Sequence, residues 1–183
     1  MIVEETTLEG CLLIKPSIFK DDRGLFLENF NEILFEEKTG VKPNFVQDNL
    51  SISAKGVLRG LHFQTGEFAQ AKLVSVIKGR VLDVCVDIRE NSETFGKHFS
   101  IILDDVEKRQ LYIPKWFAHG FLALEEGTIF SYKCDSYYNK ASESGILFND
   151  EKLNIDWGVS HNQLIVSEKD KNLPTLETLL NAY

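Results

Sequence analysis

The chain has 183 residues, 43% of them hydrophobic and 26% charged, and 20 Lys and Arg against 28 Asp and Glu give a formal net charge of −8. That length suits one domain, 1–183, with a substantial core, and the acidic balance argues against nucleic acid, whose binding relies on phosphate neutralisation. No apolar run approaches the roughly 20 residues that span a bilayer, and no basic-then-apolar leader opens the chain.

In chain order, short runs of strand character fall at 11–15, 25–30, 45–53, 57–63, 71–78, 80–88, 99–103, 110–113, 120–124, 128–134 and 145–148. Turn signals stand at Asp22-Arg23-Gly24, Lys78-Gly79 and Glu126-Gly127. Residues 72–88 read as one hairpin about Lys78-Gly79, with Leu82, Val84, Val86 and Ile88 on one face and Val81, Asp83, Cys85 and Asp87 on the other. Asn31 is placed to cap a short helix through Lys38, with Gly40 just past its end. A second short helix is expected over 175–180, with Leu176, Leu179 and Leu180 as its apolar stripe. Many short, evenly spaced strands predict an antiparallel sandwich or barrel.

The stretch from Phe45 to Gln64 carries Gln47, Asn49, Arg59 and His62 on strand-like sequence, where polar groups should be scarce. Strict alternation puts Leu58, Gly60, His62 and Gln64 on one face and Arg59, Leu61 and Phe63 on the other. Neither face is cleanly apolar, so at least one must line a polar cavity. Gly60 is a natural place for a bulge that re-aims a neighbouring side chain.

His62, His98, His119 and His161 show neither H-x-H nor H-E-x-x-H spacing, so no metal site is expected, although Pro114-Lys-Trp-Phe-Ala-His119 is similar to half of a metal-binding cupin motif. Dinucleotide and P-loop fingerprints are missing, as is the G-x-S-x-G elbow. Three cysteines, Cys11, Cys85 and Cys134, at unrelated spacings fit a reducing cytoplasm rather than a disulfide framework. What remains is acid–base chemistry without a cofactor. His62 has the intrinsic pKa of a base at neutral pH, Tyr132 is a partner acid, Lys72 a neutraliser of an oxyanion, and Asp170 a holder of the imidazole. The bland alternatives are a hydrogen-bonded structural histidine and a tyrosine that packs its ring.

Taken together, the runs Asp22-Arg-Gly24, Phe45-Val-Gln-Asp-Asn49, Lys55-Gly-Val-Leu-Arg-Gly-Leu-His62, Gln70-Ala-Lys-Leu-Val74, Asp83-Val-Cys-Val-Asp-Ile-Arg89, Ser92-Glu-Thr-Phe-Gly96, Ile113-Pro-Lys-Trp-Phe-Ala-His-Gly-Phe121 and Ser167-Glu-Lys-Asp170 resemble the dTDP-4-dehydrorhamnose 3,5-epimerase family. The resemblance extends over nearly the whole chain, in order. It implies an all-β, cupin-like antiparallel jelly-roll sandwich with a few short peripheral helices, working as a homodimer without metal or dissociable cofactor. It implies dTDP-4-dehydro-6-deoxy-D-glucose as substrate and dTDP-4-dehydro-L-rhamnose as product. By the same resemblance His62 is the base, Asp170 its orienting partner, Tyr132 the acid and Lys72 the enolate stabiliser. Substrate-binding roles carry over to Arg23, Phe26, Glu28, Gln47, Asn49, Arg59, Lys72, His119, Tyr138, Glu143 and Lys169. The segment from Arg23 to Glu28 is expected to reach the site of a neighbouring subunit, with an N-terminal strand exchanged.

One departure stands out. Trp116 occupies a position where the family usually has glycine, so either the turn takes another geometry or the indole fills part of the pocket wall. Three rival readings stay open: an epimerase acting at one carbon of a related nucleotide sugar, a metal-dependent cupin enzyme, and a non-catalytic sugar-binding jelly roll.

Overall fold

The structure is a computed structural model that describes residues 1–181. Its elements are β1 (Ile2–Glu5), β2 (Leu12–Lys15), β3 (Ile18–Asp21), β4 (Gly24–Leu27), α1 (Glu32–Thr39), β5 (Gln47–Ser53), β6 (Val57–Gln64), β7 (Lys72–Lys78), β8 (Arg80–Asp87), β9 (His98–Asp104), β10 (Gln110–Ile113), β11 (Phe117–Ala123), β12 (Thr128–Cys134), β13 (Glu143–Gly145), β14 (Ile165–Val166), α2 (Glu168–Lys171) and α3 (Leu176–Leu180). One sheet has the order β1-β2-β10-β7-β12-β5. The second runs β13-β6-β11-β8-β9, and β14 adds to β6 in parallel, the one exception to antiparallel pairing. The β3–β4 hairpin stands apart as a two-stranded ribbon. The two large sheets pack face to face as the jelly-roll sandwich that the resemblance implies.

Three apolar layers hold this sandwich. Between the sheets, Leu13, Val74, Val76, Val81, Leu111, Phe121 and Phe130 form the central filling. Behind the second sheet, Leu58, Leu61, Phe63, Val84 and Val86 are covered by Trp157, Leu176 and Leu179 from the C-terminal segment. Outside the first sheet, Phe35 of α1 packs on Ile14, Leu73 and Tyr112. The inner strands β6, β11 and β8 of the second sheet are therefore largely buried on both faces, whereas its edge strand β9 exposes Ile102 and the first sheet exposes Leu50, Ile52 and Ile77.

Both expected helices form where their caps stand. Asn31 Oδ1 accepts from the Leu34 N–H, and Gly40 closes α1 in the left-handed region at φ 70. Thr175 caps α3, whose Leu176 and Leu179 are buried; the side chain of Leu180 lies outside the described residues.

The expected hairpin over 72–88 does not form. Lys78-Gly79 turns the chain, but β7 lies between β10 and β12 while β8 lies between β11 and β9. A Cβ on Gly79 would meet Thr128 Oγ1 at 2.6 Å, so the turn hugs β12 as it carries the chain from one sheet to the other. Turn chemistry encodes the reversal and not which sheet receives the second arm. The expected strand over 145–148 sits earlier, at β13, because Glu143 pairs with Gln64. The strand expected at 120–124 begins at Phe117, every residue of which run is buried. β1, β3, β14 and α2 were not among the expected elements: Ile-Val-Glu-Glu in β1 and Ile-Phe-Lys-Asp in β3 do not alternate, and β14 and α2 have only two and four residues.

Candidate active site

The cavity that matters opens between the two sheets. It encloses about 740 Å³ and is lined from the first sheet by Gln47, Asn49, Lys72 and Tyr132, and from the second by Arg59, His62 and His119. Arg59 and His62 share it because β6 carries an extra residue. Across β11, His119 pairs with His62 and Phe121 with Arg59, so three steps on β6 oppose two on its neighbour. The bulge expected at Gly60 is thus present, with φ 127. It corrects strict alternation, which separates Arg59 from His62. A side chain at Gly60 has no room: its Cβ would sit 2.5 Å from Gly120 Cα and 2.8 Å from the His119 carbonyl oxygen. Leu58, Leu61 and Phe63 turn the other way into the outer core.

His62 is held by Asp170. Its Nε2 lies 2.7 Å from Asp170 Oδ1, and Asp170 Oδ2 accepts from the Gly60 N–H at 3.2 Å. Asp170 arrives on α2, which Ser167 caps by accepting the Asp170 N–H at 3.1 Å, directly after β14 has paired Val166 with Leu58. Burial pushes the Asp170 carboxyl up, but the hydrogen bond and charge of His62 and the Gly60 N–H outweigh it and hold the group below its usual range. An ionised Asp170 keeps the His62 proton on Nε2 and leaves the lone pair on Nδ1.

Facing this pair from the other sheet stand Tyr132 and Lys72. Burial raises the Tyr132 phenol, so it keeps its proton at neutral pH. Lys72 is 8% exposed and forms no ion pair among the described residues, and its Nζ lies 5.9 Å from the centroid of the Tyr132 ring. Burial lowers its pKa, with the charges of Cys134, Asp83 and Glu143 working against that. Cys134, next on that strand face, is no nucleophile: burial pushes its thiol up to about 11.

At the cavity mouth Glu143 accepts from Tyr138 Oη at 2.9 Å and meets Lys169 Nζ at 2.6 Å. Gln47 Nε2 donates to Asn49 Oδ1 at 3.0 Å, and the Tyr138 N–H donates to Gln47 Oε1 at 2.9 Å. Arg59 Nε donates to Ser53 Oγ at 3.2 Å. Those contacts leave a mixed polar rim of two cations, a carboxylate, two amides and an exposed phenol.

Three expected residues lie elsewhere. Arg23 and Phe26 sit on the β3–β4 ribbon, where Arg23 pairs with Asp21 at 2.5 Å and Phe26 is 69% exposed. Glu28, just beyond it, accepts from Asn31 Nδ2 at 3.0 Å. Within a single chain none of them lines the His62 cavity. Trp116 answers its own question in a third way. It takes the left-handed conformation at φ 64 that glycine would favour, and its indole lines a separate cavity of about 730 Å³ behind β6, beside Phe63, Ile88 and Arg89.

Several side chains in or just behind the cavity escaped sequence reasoning. Gln64 braces the rim, donating to the Phe68 and Tyr137 carbonyls and accepting the Asn139 N–H at 2.6 Å. Ser51 Oγ lines the cavity, buried and without a hydrogen-bond partner among the described residues. Asp83 lies 2.9 Å from His119 Nε2 through its Oδ2. A carboxylate between Val81 and Cys85 on one strand face was its only signal. Among the described residues no group of three or more His, Cys, Asp or Glu is arranged to hold a metal ion.

A family model described as dTDP-4-dehydrorhamnose 3,5-epimerase matches residues 5–178. A relative from Escherichia coli, named dTDP-4-dehydrorhamnose 3,5-epimerase, is 51% identical over 98% of this chain and 97% of its own length. The crystal structure of dTDP-4-dehydrorhamnose 3,5-epimerase from Elizabethkingia anophelis superposes with a TM-score of 0.94 at 53% identity, covering 97% of both chains. A Legionella pneumophila dTDP-6-deoxy-D-glucose-3,5-epimerase, crystallised in complex with dTDP-4-keto-L-rhamnose, gives a TM-score of 0.92 at 45% identity, covering 96% of this chain and 93% of that one.

Proposed function

The chain belongs to the dTDP-4-dehydrorhamnose 3,5-epimerase family, and from that membership we propose that it inverts C3 and C5 of dTDP-4-dehydro-6-deoxy-D-glucose to give dTDP-4-dehydro-L-rhamnose. One observation carries the chemistry: an imidazole anchored by a carboxylate and a protonated phenol line a single cavity from opposite sheets, with a buried lysine beside the phenol.

The substrate's C4 ketone acidifies the C–H bonds on both sides, because either carbanion delocalises into an enolate. His62 takes the proton through its Nδ1 lone pair while Asp170 steadies the imidazolium. Lys72 stabilises the charge on the C4 oxygen, and Tyr132 returns a proton from the other face of the ring, completing inversion. General acid–base help contributes roughly 10² to 10⁴ in rate, and one oxyanion stabiliser about 10² to 10³. No metal or dissociable cofactor enters the scheme.

The nucleotide end falls to the rim. Arg59 and Lys169 suit the diphosphate, Gln47, Asn49, His119 and Glu143 offer directional hydrogen bonds, and Tyr138 offers a ring face for thymine. Arg23, Phe26 and Glu28 complete this binding from a second subunit in a homodimer. Supporting that arrangement, the β3–β4 ribbon exposes Phe19, Leu25 and Phe26, and the first sheet exposes Leu50, Ile52 and Ile77, apolar side chains of the kind that a subunit interface covers. A cytoplasmic setting belongs to the same reading, in keeping with free Cys11, Cys85 and Cys134.

The test is incubation with the 4-keto sugar nucleotide in deuterated water. Deuterium at both C3 and C5 is the expected result. Label at one carbon alone would reduce the enzyme to a single-site epimerase, and label at neither would overturn the proposal.

A further inference from the structure

We propose that Asp83 is a positioning residue for the epimerisation, fixing His119 in one tautomer and supplying the counter-charge that lets Lys72 meet the enolate as an ammonium ion. This rests on the function read above and adds to it a side chain that touches no substrate.

The case begins with an unexplained burial. On β8, Leu82, Val84 and Val86 face the outer core, whereas Val81 and Cys85 face the filling between the sheets. Asp83 stands between those last two with 0% exposure. Withdrawing a carboxylate from water costs several kcal/mol unless it is paired and hydrogen-bonded. Asp87, four residues on, shows what a structural carboxylate looks like in this fold. It accepts from the Arg89 guanidinium and from the Ser92 and Thr94 hydroxyls. Asp83 has one side-chain partner, His119, and its Oδ1 has none among the described residues. Its charge is not consumed locally.

Two groups nearby can use that charge. His119 is the Cα partner of His62 across the β6–β11 ladder, lines the same cavity, and meets Asp83 through Nε2 at 2.9 Å. With Nε2–H donated to the carboxylate, Nδ1 is left as its acceptor nitrogen. The arrangement repeats the His62–Asp170 pair on the adjacent strand. Lys72 is the second beneficiary.

The groups whose charges act on the Lys72 ammonium are Cys134 from β12, Asp83 from β8 and Glu143 from β13, and Arg59, His62, His119, Tyr132, Lys169 and Asp170 line the same cavity. Asp83 and Glu143 are the carboxylates among the charges that act on it. Glu143 is already tied to Lys169 and Tyr138, so Asp83 is the less committed anion. Burial works against the Lys72 ammonium, and Asp83 opposes that penalty. Without this support the ammonium is held less firmly, and its stabilisation of the enolate weakens.

The experiment pairs one variant with a measurement on the wild-type protein. Asp83→Asn keeps size and removes charge. Its turnover is expected to fall about 10- to 100-fold with KM little changed, and the basic limb of its kcat–pH profile to move to lower pH. Wild-type turnover, or a loss with the basic limb unmoved, would overturn the proposal. Should the variant fail to fold, imidazole nitrogen NMR on the wild-type enzyme decides. His119 must hold its proton on Nε2; a proton on Nδ1 overturns the assignment. That spectrum needs no substrate, so its outcome is separate from deuterium incorporation, which tests the function itself.

Discussion

His62 Nε2 and Asp170 Oδ1 stand 2.7 Å apart although 108 positions separate them in the chain. The contact exists because β14 runs parallel to the start of β6 and hands the chain to a helix capped by Ser167. Asp170→Asn keeps the shape and removes the anion that favours an imidazolium. Turnover should fall by about 10² to 10⁴ with KM within a few-fold of wild type. Steady-state kinetics check this, and unchanged turnover would separate Asp170 from the base.

Tyr132→Phe keeps the ring and its packing near Phe130, 6.2 Å between centroids, and deletes the acidic proton. We expect a loss of turnover of at least about 10²-fold with nucleotide affinity within a few-fold of wild type. Calorimetric titration with dTDP beside steady-state kinetics would show it. A weakened affinity with intact turnover would make Tyr132 a binding residue instead.

Subunit complementation tests the exposed ribbon. Arg23→Ala and His62→Asn homodimers should each be nearly inactive. Mixed and re-associated, they should recover about a quarter of wild-type activity, because half the dimers are hybrid and each hybrid contains one intact site. No recovery would place Arg23 outside any shared site.

Asp87 offers a stability test away from the chemistry. Burial raises its carboxyl, but hydrogen bonds from Arg89, Ser92 and Thr94 prevail and lower it to about 2, against about 3.9 for an unfolded Asp. A depressed carboxyl stabilises the fold above the unfolded value and loses that contribution as pH falls through the folded one. Asp87→Asn should therefore cost about 2 kcal/mol near neutrality, and the gap should close between about pH 4 and pH 2. Urea unfolding of both proteins over that range gives the answer.

Much of this was legible in the chain. The strands at 110–113 and 128–134 needed only alternation, and α1 was announced by Asn31 and Gly40. The cavity was announced by Arg59 and His62 on a strand with no clean apolar face. What alternation does not hold is the count of residues at a bulge, so the shared facing of Arg59 and His62 emerges only with the β6–β11 register. Pairing partners are equally silent: β7 and β8 read as a hairpin because a turn signal carries no record of which sheet lies beyond it. Asp83 escaped because a carboxylate between Val81 and Cys85 acquires meaning only once His119 is seen beside it.

The groups to which we assign the proton transfer are bolted to different walls, Tyr132 and Lys72 to one sheet and His62 to the other. The gap across which a proton must be passed is therefore calibrated by Val74, Val76, Val81, Phe121 and Phe130, which act as shims. Thinning that stack by a methyl group or two would detune the catalyst while leaving every group that handles a proton in place. Sequence changes among these apolar shims are accordingly where turnover can be adjusted by fractions of an ångström.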